Sequence, residues 1–230
     1  MGGSAESVRR ARLAASRPVR VGATMRRPRH GRSDYVDALL LHLAAAGFTG
    51  VPRPLGYDDQ GRQILTYVEG DVPSVVSDAQ IRSAAALYRA FHDATVSFPL
   101  LEDGAVVCHG DLGPHNTVFR GERAVAIIDF EDDVGPGRRV DDFAQAVWDF
   151  AGLADPAVAV PEQARRAWLA CAAYGGVTPA EVVASLVARF GRARDQNRAD
   201  GLLGAVRIFE DLLAWMARYG GEIADSRPAS

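Results

Sequence analysis

The chain has 230 residues, 48% of them hydrophobic and 24% charged, with a net charge of −3 at pH 7. That balance suits a globular chain able to bury a core, and the slight negative charge argues against a partner held by nucleic-acid phosphates. Cys108 and Cys171, both in apolar settings, do not make a disulfide framework, and no apolar run is long enough to span a membrane, so a cytoplasmic location is expected.

In chain order, residues 1 to 18 are rich in Arg, Ala and Ser, alternate poorly, and read as a poorly defined leader. Val19 to Pro28 reads as two short strands joined by a tight turn at Gly22. Ser33 to Ala46 reads as a helix with Ser33 as its cap and an apolar stripe of Val36, Leu39, Leu40 and Leu43. The stiff Val51-Pro52-Arg53-Pro54 connector precedes a strand over Gly61 to Val68 that stops at Gly70. A second helix is expected over Asp78 to Thr95, with Ile81, Ala84, Ala85, Tyr88, Phe91 and His92 near one face. Val106 to Cys108 is a short apolar run. Thr117 to Phe119 and Ala124 to Ile128 flank Arg120-Gly121-Glu122-Arg123 as a hairpin. Four helices complete the chain, over Asp141 to Phe150, Pro161 to Ala173, Thr178 to Phe190 and Asp200 to Tyr219. Trp148, Trp168 and Trp215 are expected to pack within them.

The chemistry lies between those elements. Residues 109 to 116 read His-Gly-Asp-Leu-Gly-Pro-His-Asn, and residues 127 to 131 read Ile-Ile-Asp-Phe-Glu. One base followed by two hard-oxygen ligands is the order phosphoryl transfer needs. Asp111 can take a proton from a hydroxyl, and Asn116 and Asp129 can hold Mg²⁺ against a triphosphate. Each residue alone reads as a turn, a loop cap or a strand end. Together they match a kinase catalytic loop, H-R-D-L-x-x-x-N with D-F-G downstream, at His109, Asp111, Leu112, Asn116 and Asp129-Phe130. The hairpin between Asn116 and Asp129 would return the chain so that both could reach one ion.

With His109-Gly110-Asp111-Leu112, Asn116, Ile128-Asp129-Phe130-Glu131-Asp132 and Asp142-Phe143-Ala144 in register, the chain resembles the aminoglycoside phosphotransferase family and its choline-kinase-like relatives. The resemblance covers residues 19 to about 152. It implies an α+β, two-lobed protein-kinase-like fold: a reduced β lobe over 19 to 68 and a mainly helical lobe over 69 to 222, with a tail over 223 to 230. It further implies transfer of the ATP γ-phosphoryl group to a small-molecule hydroxyl acceptor, with ATP and Mg²⁺ as cofactors. Asp111 would be the base, Asn116 and Asp129 the metal ligands, and His109 and Asp142 structural supports. Thr66, Tyr67 and Val68 would meet adenine through main chain at the hinge. His92 would pack beneath the catalytic loop. Glu131 could reach the metal or begin the next loop.

Three departures accompany the resemblance. All 26 basic residues are arginine, so the lysine that such kinases place on the third strand is absent, and Arg27 is the best stand-in, with Arg26 next. Its partner glutamate is replaced by Asp37, read as a solvated face residue. The glycine-rich turn that covers phosphate has no counterpart except Gly2-Gly3. Asp133, Asp149, Glu210 and Asp211 are the carboxylates available to a cationic acceptor, and His115 has no assigned role. The alternatives are a kinase for choline, homoserine or a sugar, or a degenerate module that binds a nucleotide or partner without turnover.

Overall fold

The structure, a computed structural model, describes residues 18–101 and 105–227. The leader and the Gly2-Gly3 turn therefore lie outside the described residues. Strands β1 (Val19–Val21) and β2 (Thr24–Arg27) form the expected hairpin, with Gly22 in the left-handed region at φ 61°. With β3 (Pro54–Tyr57) and β4 (Gln63–Thr66) they make an antiparallel sheet ordered β1-β2-β4-β3. Register places Arg27 opposite Gln63 and Met25 opposite Leu65. Helix α1 (Ser33–Ala45) buries the predicted stripe. Ser33 does not cap it: Arg32 holds the N-cap position, and Ser33 Oγ accepts the His30 N–H at 2.8 Å.

The chain leaves the sheet at Thr66 and meets the second lobe at once. Asp71 and Phe119 exchange backbone hydrogen bonds at 2.8 Å each way. The approach requires glycine at position 70, where φ is 144° and a Cβ would stand 2.4 Å from the Phe119 carbonyl oxygen.

Helix α2 (Asp78–Thr95) is the spine of the larger lobe. Ser77 and Gln80 close a capping box at its start, and Tyr88, Phe91 and His92 are fully buried on its inner face. Each such aromatic contributes roughly 1.5–3 kcal/mol of apolar burial. Strand β5 (Val106–Cys108) leads into the His109–Asn116 segment, the 3₁₀ turn Pro114–Asn116 ends it, and β6 (Thr117–Arg120) with β7 (Arg123–Ile127) forms the predicted hairpin. Strand β8 (Gly135–Gly137), Gly-Pro-Gly, pairs antiparallel with β5 and carries no strand signal in sequence. Gly137 is needed there, because a Cβ would meet Cys108 Sγ at 2.6 Å.

Helices α3 (Arg139–Ala151), α4 (Val160–Tyr174), α5 (Pro179–Ala199) and α6 (Leu203–Ala224) follow. Helix α5 starts at the predicted Thr178-Pro179-Ala180-Glu181 capping box but continues past Phe190. The left-handed Gly201 (φ 73°) delays α6 to Leu203. That helix then passes Tyr219 because Gly220 faces Val183 of α5, where a Cβ would be 3.2 Å from a Val183 methyl. The tryptophans are half-buried: Trp148 stacks edge-on to Phe190 at 5.0 Å, and Trp215 lies 5.5 Å from Tyr219. A small antiparallel sheet with one helix, joined by a short crossing to a helical lobe, is the two-lobed kinase-like α+β fold.

Candidate active site

The His109–Asn116 segment is shaped from beneath by one buried carboxylate. Asp142, in the first turn of α3, accepts the His109 N–H on Oδ2 and the Gly110 N–H on Oδ1, both at 2.8 Å. His92 of α2 donates from Nε2 to Asp142 Oδ2 at 3.0 Å, and its Nδ1 pairs with the Tyr174 hydroxyl at 2.6 Å. Burial alone would push the Asp142 carboxyl up. The hydrogen bonds and charges of His92 and His109 outweigh it and hold the group below the usual carboxylate range.

His109 is also buried, and burial lowers its pKa. Its Nε2 must donate to the Ile128 carbonyl at 2.9 Å, so Nδ1 is left to accept the Asp111 N–H at 3.3 Å. The Phe130 ring packs edge-on against His109 at 4.6 Å, so one histidine joins this segment to the Asp129 turn.

Asp111 rises from this platform with its side chain about half exposed. Its Oδ2 accepts from Asn116 Nδ2 at 3.0 Å and from His115 Nε2 at 3.1 Å, which leaves Oδ1 open to an acceptor hydroxyl. Asn116 Nδ2 also donates to the Asp111 carbonyl at 2.9 Å. With the amide nitrogen so engaged, Asn116 Oδ1 is the atom available to a cation.

Across the open end of the hairpin, the Ile128 N–H donates to the Asn116 carbonyl at 2.9 Å and brings Asp129 alongside. Asp129 is exposed and sits at φ 66°, a left-handed conformation that costs a non-glycine residue on the order of 1–2 kcal/mol. Among the described residues no three His, Cys, Asp or Glu side chains gather for a metal. An amide oxygen and a single carboxylate fit Mg²⁺, which keeps water and takes substrate phosphates for its remaining positions. Glu131 is exposed beyond this turn, while Asp132 accepts from His30 Nδ1 at 2.9 Å and the Arg32 N–H at 3.1 Å.

Arg27 reaches the site from the sheet and is 5% exposed. Its Nη1 donates to the Phe130 carbonyl at 2.6 Å; Nε and Nη2 donate to Gln63 Oε1 at 3.1 and 2.8 Å. Burial lowers its pKa, and the carboxylates of Asp129, Glu131 and Asp37 oppose that. Arg27 and Asp129 line a cavity of about 300 Å³ between the lobes, walled by Met25, Leu65, Val72 and Val118. Arg26 instead donates to Thr24 Oγ1 and faces Asp58, so it does not take the lysine's place.

Thr66, Tyr67 and Val68 all line the same cavity. The Thr66 N–H already donates to Arg53 O and the Tyr67 N–H to Ala23 O, both at 2.9 Å, and Arg20 covers the Tyr67 ring at 3.7 Å. Of the three, only Val68 keeps its backbone groups free of backbone partners among the described residues. Thr66 and Tyr67 supply walls.

Three contacts escaped the sequence, one of them at Asp149, which the sequence offers only as a carboxylate for a cationic acceptor. Gln63 joins Arg27 to Asp37, whose carboxylate accepts from Gln63 Nε2 and from the Tyr57 hydroxyl and is therefore not a solvated face group. Asp149 lies beside the His109–Asn116 segment: its Oδ2 and His115 Nδ1 are both within 2.9 Å of where a Gly113 Cβ would stand. Burial raises the Asp149 pKa against the pull of Gln145 and His115. The Phe130 carbonyl is the third. Strand register would have revealed Gln63, since it stands opposite Arg27; the others required the tertiary fold. Asp133, Glu210 and Asp211 are exposed, and Glu210 pairs with Arg198 at 2.8 Å.

Comparison with known proteins bears on the fold and on the sequence pattern of residues 98–177. The family model described as the phosphotransferase enzyme family matches residues 98–177. A trifolitoxin immunity protein from Rhizobium leguminosarum bv. trifolii is 35% identical over 145 residues, 55% of this chain and 55% of that one. The chain thus spans about half the length of the curated relative it matches. A choline/ethanolamine kinase family protein from Mesorhizobium loti superposes with TM-score 0.60 at 15% identity, covering 91% of this chain and 89% of that one. The GDP complex of aminoglycoside 2'-phosphotransferase-IIIa gives 0.58 at 14%, over 86% and 87%. An aminoglycoside phosphotransferase from Alicyclobacillus acidocaldarius gives 0.56 at 13%, over 92% of each. At such identities the likeness is one of fold. Residues 98–177 carry the sequence pattern of the phosphotransferase enzyme family, set within the two-lobed fold of the aminoglycoside phosphotransferases and choline/ethanolamine kinases.

Proposed function

We propose that the chain transfers the γ-phosphoryl group of ATP to a hydroxyl of a small molecule. The observation that carries this reading is the convergence of Asp111, Asn116 and Asp129 at one end of the β6–β7 hairpin, beside an apolar cavity lined by Arg27 and Asp129. The adenine would fill the cavity between Met25, Leu65 and Val118, with Val68 main chain at its edge. Arg27 would bind the phosphates through two N–H groups. Asn116 Oδ1 and Asp129 would hold Mg²⁺, which neutralises charge developing on the β- and γ-phosphate oxygens. Asp111 Oδ1 would orient the acceptor hydroxyl and take its proton as the oxygen attacks phosphorus. His109 and Asp142 act by fixing the backbone that carries Asp111.

The test is ADP release with a panel of hydroxyl acceptors, amino sugars, amino alcohols and neutral sugars among them, on the native chain and Asp111→Asn. Acceptor-stimulated release that falls by several orders of magnitude in the variant is expected. Near-native turnover in Asp111→Asn removes Asp111 as the base.

The immunity relative favours a second reading, in which the chain counters a toxin, either by modifying a hydroxyl on it or by binding it without turnover. Retention of base and both ligand residues supports modification. Absence of acceptor-stimulated release across the panel, with nucleotide binding retained, would support the binding module.

A further inference from the structure

The chain has no lysine, and what stands in its place is a relay. Arg27 on β2 donates two N–H groups to Gln63 Oε1 on β4. Gln63 Nε2 donates to Asp37 Oδ1 on α1, and the Tyr57 hydroxyl on β3 donates to Asp37 Oδ2. The amide orientation is fixed from both ends, because only its oxygen can accept from a guanidinium and only its nitrogen can donate to a carboxylate. Gln63 is 1% exposed and Arg27 5%, so the link between these two is dry.

Resting on the nucleotide reading above, we propose that Gln63 and Asp37 are positioning residues that hold Arg27 as a preformed phosphate clamp, doing through a neutral amide what a Lys–Glu pair does by direct contact. A guanidinium has five N–H groups. Gln63 and the Phe130 carbonyl engage one each on Nε, Nη1 and Nη2. One on Nη1 and one on Nη2 remain for the oxygens of a phosphate.

Asp37, one residue further away, orients the guanidinium through Gln63. The bond to Phe130 O ties the same guanidinium to the backbone next to Asp129, so phosphate and metal contacts are set by one rigid group.

The experiment is calorimetric titration of the full chain with adenosine and, separately, with Mg²⁺-ADP. The proteins are native, Gln63→Leu, Asp37→Ala and the exchanged pair Gln63→Glu with Asp37→Asn. Each single substitution is expected to weaken Mg²⁺-ADP on the order of tenfold while leaving adenosine unchanged, since only phosphates meet the clamp. The exchanged pair keeps every hydrogen bond and the charge count, and is expected to restore Mg²⁺-ADP affinity. A fold defect would weaken both ligands together. If Gln63→Leu fails to fold, the half-buried Asp37→Ala decides. An unchanged ratio of the two affinities in the single variants overturns the relay while leaving the nucleotide reading intact. Failure of the native chain to bind either ligand overturns the nucleotide reading and the clamp with it.

Discussion

Removing Asp142 tests the idea that one carboxylate shapes the His109–Asn116 segment. In Asp142→Ala, the His109 N–H, the Gly110 N–H and His92 Nε2 lose their acceptor at a fully buried position. Each orphaned donor costs about 1–3 kcal/mol, and water entering the vacated space offsets part of that, so the expected loss is ~3–6 kcal/mol. Against a total stability of ~5–15 kcal/mol the loss is large, and it corresponds to a fall in Tm of ~6–24 °C. Urea unfolding read by tryptophan fluorescence measures it, with Asp141→Ala as the neighbouring control. Asp141 is partly exposed, pairs with Arg138 at 2.8 Å and accepts the Ser185 hydroxyl at 2.7 Å, so its removal is expected to cost about 1–2 kcal/mol. Equal losses in the two variants, or a loss under about 1 kcal/mol in Asp142→Ala, would refute the reasoning.

Three further outcomes follow from the same geometry. Asp142 is held below the usual carboxylate range, so its contribution is complete above an unfolded value near ~3.9 and is lost as pH falls through the folded value; Asp142→Asn should flatten that acid limb in a stability–pH profile. Gly70→Ala should destabilise by about 2–4 kcal/mol in urea, because the new Cβ meets the Phe119 carbonyl and φ is positive. Asp129→Gly should hold or raise Tm by relieving the left-handed strain while abolishing Mg²⁺-dependent nucleotide binding, a separation of stability from function that thermal melts and titration read together.

Much of this was legible in the sequence because local signals carried it. Apolar spacing placed α1 and α2, Gly22 and Gly121 marked the hairpin turns, and the fixed distances between His109, Asp111, Asn116 and Asp129 placed the site residues on one loop and one hairpin. Asp142 was legible as a support because it opens a helix in register with the motif. Contacts between residues far apart in the chain were not. Asp37 has the spacing of a solvated helix face, and only the β2–β4 register and α1 packing bring it to Gln63. Asp149 is a helix residue in sequence and a neighbour of Gly113 in space. Strand β8 is Gly-Pro-Gly, with no β-branched or aromatic side chain to announce a strand, and forms because β5 offers an unpaired edge. The extension of α5 beyond Phe190 follows packing of α6 against it, which overrides the local polarity of residues 191–199.

The central claim is a nucleotide site completed by a metal at Asn116 and Asp129. Calorimetric titration of ATP into the native chain and Asp129→Ala, with and without Mg²⁺, tests it most directly. The account predicts binding that strengthens with Mg²⁺ in the native chain and no metal effect in the variant. Binding of equal strength with and without Mg²⁺ in both proteins, or none in the native chain, would contradict it.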